Sequence, residues 1–189
     1  AATWDAIIGN DTDGGSTEMM TFAAWVYKTG DGGSNLGRIL DFGWSDLALY
    51  TNVTEKIRFR AKWNGNNSVI WETGTGAIPA PASAAWTHVV ATYDARKAEN
   101  KPKIYVNGVE QAVSLSSGTQ TGAYYGIVNQ AGAIGNDAAG NYNWAGNLAD
   151  VAVWNSILDE EEIQTLYYAG QYTQAFDGIT ELNSKNMIA

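Results

Sequence analysis

Four cations on alternate residues, Lys56, Arg58, Arg60 and Lys62, form the densest charge pattern in the chain. In an extended segment side chains alternate between faces, so all four project to one side. Such a basic stripe can hold carboxylate or sulfate groups through charge-assisted hydrogen bonds, as a sulfated or uronic-acid glycan or an acidic protein partner would present them. The competing reading is a solvated strand face balanced by acidic neighbours.

A second constellation mixes aromatic rings with amides. The loop at 135–146 carries Asn136, Asp137, Tyr142, Asn143 and Trp144, the run GAYYG at 122–126 carries Tyr124 and Tyr125, and Trp44 lies in a short turn before Asp46. Rings stack on the apolar CH face of a pyranose while amides and carboxylates read its hydroxyls, so these eight are the carbohydrate-binding candidates. Tyr124 and Tyr125 point to opposite sides of an extended chain, so at most one can face a ligand. The competing reading has these aromatics capping the ends of a core.

Asp11 and Asp13 stand two apart in the run NDTDGGSTE, with Gly14 and Gly15 free to turn backbone carbonyls inward. Hard cations need several oxygens from a flexible loop, so calcium is the expected cofactor and this loop its expected site; an ordinary Asx turn is the alternative. The runs DGGSN at 31–35 and GND at 135–137 are weaker candidates. The single histidine, His88, sits in an apolar segment and is expected to be packed and structural rather than a catalytic base.

Composition narrows the function further. Twenty acidic against 11 basic residues leave a net charge of −9 over 189 residues. That opposes nucleic-acid binding and attraction to anionic membranes. Nothing approaches the apolar length of a membrane span, so no membrane insertion is expected. With no cysteine, disulfides, zinc–thiolate sites and thiol nucleophiles are excluded.

The elements that must position these residues read as strands. KIRFRAKW (56–63) puts Ile57, Phe59, Ala61 and Trp63 opposite the four cations. TFAAWVY (21–27) is apolar on both sides, as in a central strand covered on both faces. THVVATYD (87–94) is β-branched and aromatic, and KIYVNGVEQAV (103–113) places Asn107-Gly108 between alternating runs, the signature of a type I′ hairpin. Further strands are expected at 37–42, 47–51, 68–72, 124–128, 131–135 and 147–155, with turns at 29–35, 64–67, 114–122 and 136–143. The pattern is an all-β antiparallel sandwich or barrel with one short helix near the C-terminal side. That helix starts on a capping box, Asp159 with Glu162, and a staple of Leu158 and Ile163, and is expected to stop at Gly170. The box accounts for the acidic run at 159–162. Residues 1–170 are expected to form the sandwich and 171–189 a tail or linker.

In order, TFAAWVY, GRILDFG, KIRFRAKW, WTHVVATYD, KIYVNG, IGND and NLADVAVWNSILDEEEIQTLY resemble a laminin-G-like jelly roll of the concanavalin A-like lectin/glucanase superfamily, over about residues 17–168. The closing strand and capped helix ending Leu-Tyr are the most specific part. The resemblance implies two antiparallel sheets packed face to face, one of them concave. It also implies a module that binds glycans or proteins, often with calcium, within a larger extracellular or virion protein. Related modules commonly carry an acidic pair where this chain has Ala149-Asp150, so the first calcium ligand of that pair is missing. Retaining glucanases of the superfamily place two glutamates with an intervening aspartate on one strand face, and no such run occurs here. The expectation is therefore a non-catalytic, lectin-like module of a cell-surface or virion adhesion or receptor-binding protein. The alternatives are a decoration or assembly domain making protein contacts and, without its motif, a glycoside-cleaving enzyme.

Overall fold

The computed structural model describes residues 18–43, 46–64, 67–127 and 131–177, with side chains in the last helix through Gln171. The chain forms eleven described strands and a long helix. A five-stranded sheet contains β1 (Met19–Lys28), β6 (Thr87–Asp94), β7 (Lys103–Val106), β8 (Val109–Gln111) and β11 (Gly146–Trp154), in the order β11-β1-β6-β7-β8. A six-stranded sheet contains β2 (Arg38–Phe42), β3 (Leu47–Thr51), β4 (Ile57–Trp63), β5 (Asn67–Glu72), β9 (Ser114–Ser117) and β10 (Gly132–Ile134), in the order β10-β2-β3-β4-β5-β9. Every pairing is antiparallel.

Alternation decides which face goes inward. Met20, Phe22, Ala24 and Val26 of β1 meet Leu49, Ile57, Phe59 and Trp71 of the other sheet in one continuous core. Phe59 lies 5.1 Å from the Tyr93 ring and 6.1 Å from Phe22. The Trp63 indole N–H donates to the Tyr93 hydroxyl at 2.9 Å, so this buried indole donor is satisfied. Each such side chain contributes about 1.5–3 kcal/mol by leaving water.

The other face of the five-stranded sheet is covered by helix α1 (Glu160–Asp177). Ala23, Val90 and Tyr105 pack with Ile163 and Leu158 there. The capping box forms as its residues dictate: Glu162 N–H donates to Asp159 Oδ1, and Asp159 N–H to Glu162 Oε2, both at 2.9 Å. Thr21 ties the connection down, accepting from Leu158 N–H at 3.0 Å and donating to the Ser156 carbonyl at 2.7 Å. Asn107 and Gly108 have φ of 51° and 77°, as a type I′ turn requires.

Three expectations are corrected. Residues 114–117, read as part of a turn, form edge strand β9, because β5 offers a free ladder edge that serine hydroxyls do not obstruct. Of the strand expected at 124–128, residues 124–127 carry one bridge, between Tyr124 and Trp63, and Val128 lies outside the described residues. Gly170 does not end the helix, which continues to Asp177 across the expected boundary. A Cβ at Gly170 would fall on the Trp25 indole, so glycine serves helix–sheet approach rather than termination. Gly170→Ala would ordinarily gain about 1 kcal/mol of helix propensity. Overpacking costs about 1–3 kcal/mol and wins here, so a net loss of about 1–2 kcal/mol is expected in urea unfolding. A stabilised variant would show that the helix slides without cost.

One corner of the sandwich is organised by a buried ammonium. Lys28 Nζ, on a side chain only 2% exposed, lies 2.8 Å from Asp31 and 3.2 Å from Glu55, and donates to the Asn52 carbonyl at 3.3 Å.

Candidate functional site

The outward face of the six-stranded sheet gathers most of the charged candidates. Register places Asp41, Ala48, Arg60 and Ile70 side by side across β2 to β5, and Arg38, Tyr50, Arg58 and Glu72 in the next row. The alternating burial of β4 puts Ile57, Phe59, Ala61 and Trp63 in the core and leaves Arg58, Arg60 and Lys62 half-exposed on the outer side.

Their partners differ. Glu72 takes Lys56 at 2.6 Å and Arg58 at 2.8 Å. Burial pushes against the Glu72 charge, but hydrogen bonds from Lys56, Arg58 and Ser116 outweigh it and hold the carboxyl below its usual range. Lys62 pairs with Asp46 at 2.8 Å, and its ammonium sits 4.8 Å from the Tyr125 ring centre. Arg60 is bound differently: Nη2 donates to Ser68 Oγ at 2.7 Å, its buried Nε has no hydrogen-bond partner, and no carboxylate lies within ion-pair reach among the described residues. Three of the four cations thus share two carboxylates, and Arg60, with no carboxylate among the described residues, is at the middle of the sheet.

Arg38, at the β2 side, is 3% exposed and bonds Asp41 at 2.9 Å. Its guanidinium lies between two rings, 4.0 Å from Tyr50 and 4.6 Å from Tyr142. Burial raises the Tyr50 hydroxyl pKa, against the pull of Arg38, Arg58 and Arg60.

The aromatic–amide candidates separate into three groups. Tyr124 and Trp144 belong to the core, 5% and 8% exposed, so neither ring is open for stacking on a sugar; this corrects their placement among surface contacts. Tyr124 packs 5.9 Å from Trp63, and the Trp144 indole donates to the Asn147 carbonyl at 3.2 Å. Asn136 and Asp137 shape their loop: Asn136 Oδ1 accepts from Tyr142 N–H at 3.0 Å, and Asp137 Oδ1 from Asn141 N–H at 2.6 Å. Burial opposes the Asp137 charge, yet these backbone donors prevail and lower its pKa. Tyr125, Tyr142 and Asn143 retain exposed surface, with Tyr125 beside Lys62 and Tyr142 on Arg38. Trp44, Asp11 and Asp13 lie outside the described residues. Among the described residues no three His, Asp or Glu side chains converge as a metal site. At the position of the missing acidic pair, Ala149 faces Trp25 across a bulge and Asp150 follows with φ 48°.

Sequence reasoning did not single out Arg38, Asp41, Tyr50 or Arg60 from its neighbours. Pairing across strands decides which cation is neutralised, and that register is not written in a single strand.

A family profile described as the concanavalin A-like lectin/glucanases superfamily, Laminin_G_3, matches residues 5–164. The chain belongs to this superfamily. No curated protein matches it. Among solved structures, this laminin-G-like chain resembles the CBM40 of a Ruminococcus gnavus IT-sialidase at 16% identity and TM-score 0.58, over 80% of this chain and 84% of that one. The same module has been solved with α2,3-sialyllactose, at 14% identity, TM-score 0.55 and the same coverage. A Bacteroides ovatus protein described, provisionally, as carbohydrate-binding matches at 18% identity and TM-score 0.57, over 84% of this chain and 43% of its own length. The binding domain of botulinum neurotoxin DC, in complex with rat synaptotagmin II, matches at 15% identity and TM-score 0.55, over 82% of this chain and 36% of that one. Identities this low establish the jelly-roll fold. No described helix is long and apolar enough to cross a membrane.

Proposed function

We propose that this laminin-G-like domain is a non-catalytic recognition module for anionic glycans, which bind on the outer face of the six-stranded sheet. The observation that carries the reading is Arg60, a guanidinium on a strand face with no carboxylate partner among the described residues. Desolvating it against a glycan carboxylate or sulfate gives charge-assisted hydrogen bonds in a fork geometry. Arg58 and Lys62 add field, Tyr125 offers a ring for the sugar's CH face, and Asn143 an amide. Structural neighbours whose names include carbohydrate binding and sialyllactose support the class of ligand. The isolated glutamates support a non-catalytic role, since Glu55, Glu72 and Glu110 are each held by a lysine or arginine. Extracellular display, on a cell surface or a virion, as part of an adhesion or receptor-binding protein, and a calcium ion at Asp11 and Asp13 complete the proposal.

A glycan array with carboxylated, sulfated and neutral members, run with calcium and with EDTA, tests it. Binding confined to anionic glycans and weakened by salt is expected. Arg60→Ala should weaken it about tenfold to a hundredfold, the worth of one hydrogen bond to a charged group of about 1.5–3 kcal/mol. Lys56→Ala should change it less, because Glu72 is already shared with Arg58. Equal binding of neutral and anionic members would sink the proposal, and an EDTA-insensitive signal would remove calcium from it.

A second reading, a protein-contact or assembly domain, is favoured by apolar side chains on the edge strands. Val109 of β8, Leu115 of β9 and Ile134 of β10 are 63%, 55% and 59% exposed. Concentration-dependent self-association that Leu115→Ser and Ile134→Ser abolish would support it.

A further inference from the structure

The helix side of the sandwich carries a cleft that the basic face does not explain. Its volume is about 330 Å³, and Trp25, Trp86, Asn107, Tyr167 and Gln171 line it. Three elements build it: the end of β1 with the residue before β6, the type I′ turn, and two consecutive turns of α1. The turn and the helix are in close register, since a Cβ at Gly108 would lie 3.3 Å from the Tyr167 ring.

The lining has a definite chemical character. It is aromatic and amide, with no charged side chain among the described residues. Trp25 is 3% exposed and stacks on Tyr167 with ring centres 5.7 Å apart, so this pair forms a fixed wall. Trp86 is half-exposed, and the Tyr27 ring supports it at 5.6 Å and 58°. Asn107 Oδ1 accepts the His88 backbone N–H at 2.9 Å, which fixes the amide and leaves its Nδ2 hydrogens to donate. Gln171 Nε2 donates to the Tyr167 hydroxyl at 2.6 Å, which leaves Oε1 to accept. One oriented donor and one oriented acceptor beside an indole are the complement of adjacent hydroxyls on a pyranose whose CH face meets the ring. The cleft is at the lower end of ligand-site volumes, which suits one ring rather than a chain.

We infer that this cleft is a second saccharide subsite, taking a single neutral pyranose on Trp86, with Asn107 and Gln171 reading its hydroxyls. It stands apart from the anionic-glycan reading, uses none of its residues, and faces away from it. Two sites on opposite faces would let one module bridge two glycan chains, or two parts of one branched glycan, with avidity beyond either site.

The test is NMR titration of the folded protein with methyl β-glucopyranoside, methyl β-galactopyranoside and N-acetylglucosamine in turn. The Trp86 indole N–H signal, assigned by its loss in Trp86→Phe, is the readout. At least one probe should shift it saturably with a Kd of about 1–10 mM, the range of a single exposed ring. Gln171→Ala, a change at an exposed helix position, should weaken that shift at least about tenfold. Arg60→Ala should leave it unchanged, which separates this subsite from the basic face. Silence of the Trp86 signal to all three probes overturns the inference. So does a shift that survives Gln171→Ala undiminished, or tetramethylammonium binding more tightly than any sugar, which would make the cleft a cation cage.

Discussion

Arg38→Ala is expected to destabilise the fold by about 3–5 kcal/mol, the cost of stranding one member of a buried ion pair. Its partner Asp41 is 1% exposed and would keep a carboxylate within a closed surface. The same change removes two ring contacts, with Tyr50 and Tyr142, each strengthened by exclusion of water. Arg38→Lys should recover little, because an ammonium cannot both lie flat between two rings and bond Asp41 from its edge. The sharper comparison is a double replacement, Arg38→Met with Asp41→Leu, which should recover most of the loss, since removing a whole buried pair is far cheaper than halving it. Urea unfolding of the three variants gives the answer. A loss below about 1 kcal/mol for Arg38→Ala would mean the pair is wet and behaves like a surface bridge.

Acid should weaken the fold through His88. This imidazole sits beneath α1, 3% exposed, with Trp25 at 5.1 Å and Tyr167 at 6.1 Å, and its buried Nδ1 has no hydrogen-bond partner. Burial lowers its pKa to about 4, against a smaller upward pull from Asp150, the charged group facing it from β11. In the unfolded chain it titrates near 6.5, so as pH falls the unfolded state takes the proton first. The stabilisation is complete above about pH 6.5, declines as pH falls below it, and is gone below about pH 4. Its full size is on the order of 3 kcal/mol. His88→Phe should flatten that part of the stability profile, while the protonation of carboxylates near pH 4 stays common to both proteins. Parallel wild-type and variant profiles between pH 4 and 6.5 would show that His88 is solvated. The structural role expected of this lone histidine is thereby given a measurable form.

Local pattern carried much of the architecture. The alternation in β4, the Asn107-Gly108 turn and the Asp159/Glu162 box are each satisfied within a few residues, so a single segment specifies them. What escaped depends on partners distant in sequence. Gly170 has the identity of a helix terminator, yet Trp25, on a strand near the start of the chain, is what requires it. The Ser114–Ser117 segment has no apolar alternation of its own and becomes a strand only because β5 presents an open edge. Tyr124 and Trp144 look like surface rings because glycines and amides flank them, whereas packing of the two sheets draws both inward. At the basic face the stripe was legible, but the division between neutralised and free cations was not. Glu72 reaches it from β5 and Asp46 from the turn before β3.

The ammonium of Lys28 has a consequence for how this corner responds to dilution. Two carboxylates and a carbonyl converging on a positive centre are a donor set that a free cation could occupy, at an occupancy set by its concentration. Here the cation is covalently part of the chain. Its effective concentration at the site is fixed by the backbone and does not fall when the surrounding solution is depleted. The loops at Asp31 and Glu55 should therefore keep one geometry in ion-rich and ion-poor surroundings alike, with no dissociation step to wait for.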